Sequence, residues 1–88
     1  MKIIAKPIRM IAVFWPDKSA PIPYKFKYEN RDRNLITVKI DKILYNYTSR
    51  TAGVESIVYQ CQSFMDGIDT RYEIKYLIAN CQWILYKI

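Results

Sequence analysis

Ser56-Ile57-Val58-Tyr59-Gln60-Cys61-Gln62-Ser63-Phe64-Met65, then Asp66-Gly67, then Thr70-Arg71-Tyr72-Glu73-Ile74-Lys75-Tyr76-Leu77-Ile78 is the stretch that decides the fold. Asp-Gly supplies two adjacent positions that tolerate positive φ, which a two-residue hairpin turn requires. The residues after it alternate, with Tyr72, Ile74, Tyr76 and Ile78 on one side and Arg71, Glu73 and Lys75 on the other. The residues before it also alternate, Ile57, Tyr59, Cys61, Ser63 and Met65 against Val58, Gln60, Gln62 and Phe64, although both of those faces are mixed. A period of two on both sides of such a turn predicts an antiparallel β-hairpin.

The same pattern extends in both directions. Ala79-Asn80-Cys81 turns the chain into a last strand from Trp83, where Ile84, Tyr86 and Ile88 alternate to the final residue. Upstream, Thr48 to Glu55 reads as a loop around Gly53, and Leu35 to Tyr47 is too long for one flat strand. Its apolar set changes parity near Asp41-Lys42, from Ile36, Val38 and Ile40 to Ile43, Tyr45 and Tyr47, which reads as a bulge. Asn30 to Asn34 is a charged hairpin loop, and Tyr24 to Glu29 alternates Tyr24, Phe26 and Tyr28 against Lys25, Lys27 and Glu29. Ile8 to Trp15 is almost continuously apolar, as expected of a central strand covered on both faces, and the Pro-rich segment Pro16 to Pro23 ends it.

No helical stripe longer than two turns occurs, so nothing is available to cover an apolar sheet face except the sheet itself. With 88 residues the chain is one domain, residues 1–88. The expected architecture is all-β, a small, strongly twisted antiparallel barrel of about six strands, SH3-like or OB-like, with a β-sandwich as the alternative. A bent third strand would turn the barrel corner.

Composition excludes more chemistry than it suggests. There is no histidine, which removes the usual general base, the Ser-His and Cys-His pairs, and most zinc or haem ligation. Two glycines, Gly53 and Gly67, cannot build a phosphate-binding or dinucleotide-binding loop. The eight carboxylates fall in predicted turns or beside Lys and Arg, with no pair walled by apolar residues. The reading is therefore non-enzymatic, with no cofactor and no metal. Charges interrupt each N-terminal apolar run before it reaches signal-peptide length, and no run approaches a membrane span, so a cytoplasmic, non-membrane protein is expected. In that compartment Cys61 and Cys81 are expected as buried, reduced thiols.

Charge is distributed unevenly. Residues 1–50 carry eleven basic and four acidic side chains, whereas residues 51–88 carry three and four. Lys25, Lys27, Arg31 and Arg33 fall on one predicted hairpin, with Lys39 and Lys42 on the strand expected to pair with it. Such a patch attracts polyanions, and tyrosines beside it could stack bases while the cations track phosphates. Tyr24, Phe26 and Tyr28 oppose the lysines and are expected in the core. Tyr45, Tyr47, Tyr59 and Trp15, near loop or bulge positions, are the candidate platforms.

Pro7-Ile8-Arg9-Met10-Ile11-Ala12-Val13-Phe14, Tyr59-Gln60-Cys61-Gln62-Ser63 and Cys81-Gln82-Trp83-Ile84-Leu85-Tyr86-Lys87-Ile88 resemble stretches of a group of small bacterial β proteins with no assigned activity. The resemblance covers nearly the whole chain. It implies a compact β domain with Tyr59, Cys61 and Trp83 as core landmarks, and carries over no functional residue. The first expected partner is single-stranded DNA or RNA, with Lys25, Lys27, Arg31, Arg33, Lys39 and Lys42 on phosphates and Tyr45 and Tyr47 stacking. The alternative is a protein partner or a second copy at an exposed strand edge. Because the last strand alternates to its final residue, deletion of Tyr86 to Ile88 is expected to unfold the domain, which collapse of amide dispersion in an NMR spectrum would report.

Overall fold

The computed structural model describes residues 1–88. Seven antiparallel strands form: β1 (Ile3–Val13), β2 (Ile22–Glu29), β3 (Leu35–Lys39), β4 (Lys42–Thr51), β5 (Val54–Met65), β6 (Ile68–Leu77) and β7 (Gln82–Lys87). They make one sheet in the order β3-β2-β1-β7-β6-β5-β4, curled into a half-barrel. It is one continuous sheet rather than two packed sheets, and it contains no helix, so no helix is long and apolar enough to cross a membrane.

Local chemistry accounts for the hairpins. Asp66 (φ 50°) and Gly67 (φ 78°) form the turn between β5 and β6, with Met65 paired to Ile68. Ala52 (φ 51°) and Gly53 (φ 80°) make a second such turn, with Thr51 paired to Val54. The segment expected as a loop from Thr48 to Glu55 is therefore mostly strand. An Ala at positive φ is a poor turn signal, and Gly53 alone marked the place. In the 30–34 loop, the Asn30 side-chain oxygen accepts from the Asp32 and Asn34 backbone N–H groups, each at 3.0 Å. That Asx geometry holds Arg33 at φ 61°.

The expected long third strand is two strands. β3 pairs with β2 as far as Lys39, and β4 pairs with β5 from Lys42. Between them, Ile40 N–H donates to Tyr24 O at 2.8 Å and Asp41 N–H donates to Gln62 O at 3.1 Å. The parity slip read near Asp41-Lys42 is this corner, where one segment leaves one neighbour and joins another. A further irregularity follows between Ile43 and Tyr45.

The concave side holds the core: Phe26, Val38, Ile40, Ile57, Tyr59, Cys61, Tyr72, Ile74, Tyr76, Trp83 and Leu85. Phe26 and Tyr72 meet edge to face across it at 5.6 Å between ring centroids. β1 lies centrally, between β2 and β7, but is not covered on both faces as expected. Ile4, Ile8, Met10 and Ala12 pack on the core, whereas Ile3 and Ile11 are exposed. Edge pairing on both sides makes a strand central without covering its outer face. Tyr24 also departs from expectation and is exposed, because the β1–β2 register shifts between Ile11 and Ala12 and turns it out of phase with Phe26. The last strand is tied in: Lys2 N–H donates to Ile88 O at 2.7 Å, and Ile88 N–H donates to Lys2 O at 3.0 Å.

Leu85 has no exposed surface, and Phe64, on the outer side of β5, is 66% exposed. Leu85→Ala is expected to cost about 2–5 kcal/mol, whereas Phe64→Ala should stay within roughly 0.5 kcal/mol. Urea unfolding of the two variants beside the parent chain measures both.

Candidate nucleic-acid interface

In an antiparallel sheet, residues opposite one another share a face, so the register assigns the outer surface. Across β1, β2 and β3, one row is Arg9, Lys27 and Thr37, and the next is Ile11, Lys25 and Lys39. Neighbouring strands are about 4.8 Å apart, so four cations occupy a patch only about 10 Å wide. A groove of about 230 Å³ runs among Arg9, Ile11, Lys25, Lys27 and Thr37. The protein's one ion pair is Arg50 with Glu55, at 3.5 Å, so none of these four cations is neutralised by a carboxylate. Glu29 continues the alternation of Lys25 and Lys27 and is the carboxylate at the margin of this face.

Lys25, Lys27 and Lys39 are thus brought together, and Arg9 joins them. Arg9 is not assigned to the patch from sequence because Ile8 to Trp15 reads as a strand covered on both faces; a cation inside that apolar run was the signal that one of its faces meets water. Arg31 and Arg33 stay in the exposed loop beyond β2, separate from the patch. Lys42 does not pair with the β2 hairpin, as expected from sequence, but lies beyond the corner on β4, in a row with Gln62 and Arg71. The chain between Lys39 and Lys42 spans three residues, which limits their separation to about 10 Å along the backbone.

Tyr45 and Tyr47 follow Lys42 on the outer face of β4. They are 56% and 48% exposed, with ring centroids 6.3 Å apart and planes inclined by 21°. Tyr45 stands in a row with Gln60 and Glu73, and Tyr47 with Val58 and Lys75. Gln60 and Glu73 are buried, and the Gln60 amide donates to Glu73 Oε1 at 2.6 Å. Glu73 is flanked on its own strand by Arg71 and Lys75, so its charge lies between cations. Lys75 is itself drawn over the Tyr86 ring, 3.7 Å from the centroid. Trp15, another candidate platform, is 48% exposed and lies past the end of β1.

Tyr59 is not a platform. Its side chain is buried against Trp83, with centroids 5.7 Å apart, and its hydroxyl donates to Pro21 O at 2.5 Å. Burial pushes its ionisation well above the ordinary phenol range, as burial also does for Tyr72, whose hydroxyl bonds Ser63 Oγ at 2.6 Å. Cys61 is buried, and its thiol is pushed up to about 12 by the same loss of hydration. Cys81, expected to be buried, is exposed, because the turn ahead of β7 holds it at φ 52°, outside the sheet. Both thiols are free, and no group of three His, Cys, Asp or Glu side chains is arranged to hold a metal ion.

The largest groove, about 780 Å³, lies at one end of the half-barrel, with Phe14, Tyr76, Cys81 and Trp83 among its lining residues. Phe14 meets Tyr76 edge-on there, at 5.9 Å between centroids. Arg9 is the single charged side chain lining it, so it offers apolar surface without a constellation of reactive groups. No family model matches the chain, and neither curated proteins nor solved structures match it.

The buried acids give a pH prediction with a definite sign. Cys61, Tyr59 and Tyr72 all hold their protons more tightly when folded, so the stabilisation is complete below their unfolded values, 9.0 for the thiol and 10.0 for the phenols. It is lost as pH rises from there toward the folded values. The urea midpoint is expected to change little through neutral pH on their account and to fall above about pH 9. Tyrosinate absorbance from Tyr59 and Tyr72 should then appear together with unfolding rather than before it.

Proposed function

We propose that the protein is a small, non-enzymatic, cytoplasmic β-barrel of the SH3-like or OB-like kind that binds single-stranded DNA or RNA on its outer face. The observation that carries this reading is the row register of β1, β2 and β3, which leaves Arg9, Lys25, Lys27 and Lys39 together without carboxylate partners. These cations contact phosphates. Lys42, beyond the corner, extends the contact toward Tyr45 and Tyr47, which stack bases; Arg31 and Arg33 meet the strand at the other end. The division of labour follows from physics: cations that track a backbone read no sequence, and a tyrosine face accepts any base. Binding is therefore general rather than sequence-specific.

The alternative is a protein-interaction module that uses a strand edge, and the free outer edge of β4 favours it. The two readings differ in salt dependence and in the residues they need.

A titration of the protein with a mixed-sequence single-stranded oligonucleotide, followed by backbone-amide NMR at low and near-physiological salt, separates them. Shifts are expected on β1, β2, β3 and the first half of β4. With four to six phosphate contacts, log K should fall with log salt at a slope of about −3 to −4. Lys25→Glu with Lys27→Glu should abolish the shifts, while Tyr45→Ala or Tyr47→Ala should each cost about 1–3 kcal/mol. No shifts at low salt, or shifts that survive the double charge reversal, would overturn the nucleic-acid reading.

A further inference from the structure

Glu73 holds a carboxylate where a charge is costly. On β5 and β6 the side chains of Tyr59, Cys61, Tyr72 and Ile74 belong to the core, so Gln60 and Glu73, which alternate with them and pair directly across the strands, belong to the outer face. Both are nevertheless withdrawn from water, Gln60 being 8% and Glu73 5% exposed. The Gln60 amide donates to Glu73 Oε1 at 2.6 Å, and the carboxylate accepts no other hydrogen bond from the chain. No cation pairs with it either: the protein's one ion pair is Arg50 with Glu55, and Lys75, on the same strand, is held over the Tyr86 ring. A nearly buried carboxylate with a single amide for a partner is undercompensated.

The unmet atoms are Glu73 Oε2 and Gln60 Oε1. Every fully buried side-chain oxygen in the protein has a hydrogen-bond partner, so these two still reach the surface. The pair thus offers two acceptors and a negative charge through a narrow opening in the outer face. Tyr45 stands in the same row, directly beside Gln60. With strands about 4.8 Å apart, Glu73 lies about 10 Å from Tyr45 across the sheet, and a base stacked on the Tyr45 ring extends over Gln60 toward it.

We propose that Gln60 and Glu73 read the base that stacks on Tyr45 and select guanine. The inference rests on the single-strand binding reading and adds a preference at one nucleotide; the phosphate contacts and the Tyr47 ring remain general. The negative charge repels phosphate, so the group that docks here is a base edge rich in donors. Unpaired bases expose their Watson–Crick edges. Guanine alone has two adjacent donors on that edge, N1–H and N2–H, to meet two acceptors. Adenine and cytosine set one amine beside a ring nitrogen that accepts, and thymine and uracil set one N–H between two carbonyls. Those bases bring acceptor against acceptor and leave the carboxylate unmet.

Fluorescence anisotropy with an oligothymidine strand and with strands carrying one central guanine, adenine, cytosine or inosine tests this. The guanine strand is expected to bind roughly tenfold tighter than the all-thymine strand. Adenine and cytosine should fall within roughly threefold of thymine, because stacking alone tolerates any base. Inosine, which lacks the N2 amine but keeps a purine face, should lose most of the gain. Glu73→Gln keeps the shape and the bond from Gln60 but replaces the free oxygen and its charge with an amine; it should remove the guanine preference without weakening the all-thymine strand. Lys27→Glu should weaken every strand alike. Equal binding of all five strands, inosine equal to guanine, or a guanine preference that survives in a folded Glu73→Gln would overturn the base preference while leaving single-strand binding standing. No binding of any strand at low salt would overturn both.

Discussion

The backbone at Ile40-Asp41 belongs to two strand pairs at once, and the rest of the molecule depends on that. Ile40 bonds back to Tyr24 on β2, and Asp41 bonds forward to Gln62 on β5. A sheet with no helices to cover it must enclose its own apolar face, and this corner joins its two ends through a continuous chain. Side chains reinforce the joint from β5: Ser63 Oγ donates to Lys39 O at 2.7 Å, and Phe64 N–H donates to Asp41 Oδ2 at 2.8 Å. Straightening the segment would separate Phe26 from Tyr72 and open the concave face to water.

Curling the sheet also buries polar groups, and each buried one has a partner. Tyr59 reaches the Pro21 carbonyl, Tyr72 and Ser63 bond each other, and Gln60 bonds Glu73. No buried side-chain nitrogen or oxygen is left without a hydrogen bond. An unmet buried group would cost about 1–3 kcal/mol, a large part of a small domain's stability. The same bonds specify the curl. Tyr59 ties the sheet to the Pro-rich connection before β2, and Ser63 ties β5 to the end of β3, so an alternative register would strand these hydroxyls.

The corner also shapes the outer face on which the proposed binding rests. It places the lysines of β2 and β3 and the tyrosines of β4 on one run of chain, Lys39 ending one strand and Lys42 beginning the next. Charge and aromatic surface come from different strand pairs, linked by the single segment that passes between them. β3 and β4, on either side of the corner, stand at the two ends of the strand order, each with a single neighbour. The corner that closes the core thus leaves the outer edges of both strands open.

The features legible in the sequence are those set within a few residues. Asp66-Gly67 announced its hairpin because positive φ is a local demand, and the parity slip at Asp41-Lys42 marked the corner because side chains on a strand alternate whatever the neighbours are. Charge asymmetry between the halves of the chain could be counted directly. Features that need a distant strand were not legible. Arg9 joins Lys27 only through the β1–β2 register, and Tyr24 leaves the core only through the bulge in that pairing. Lys42 and Lys39 belong to different strand pairs, Tyr59 faces the interior and Cys81 does not, and β1 is covered on one side alone. Local alternation states which residues share a face; cross-strand register, bulges and the curl of the sheet decide which face meets water.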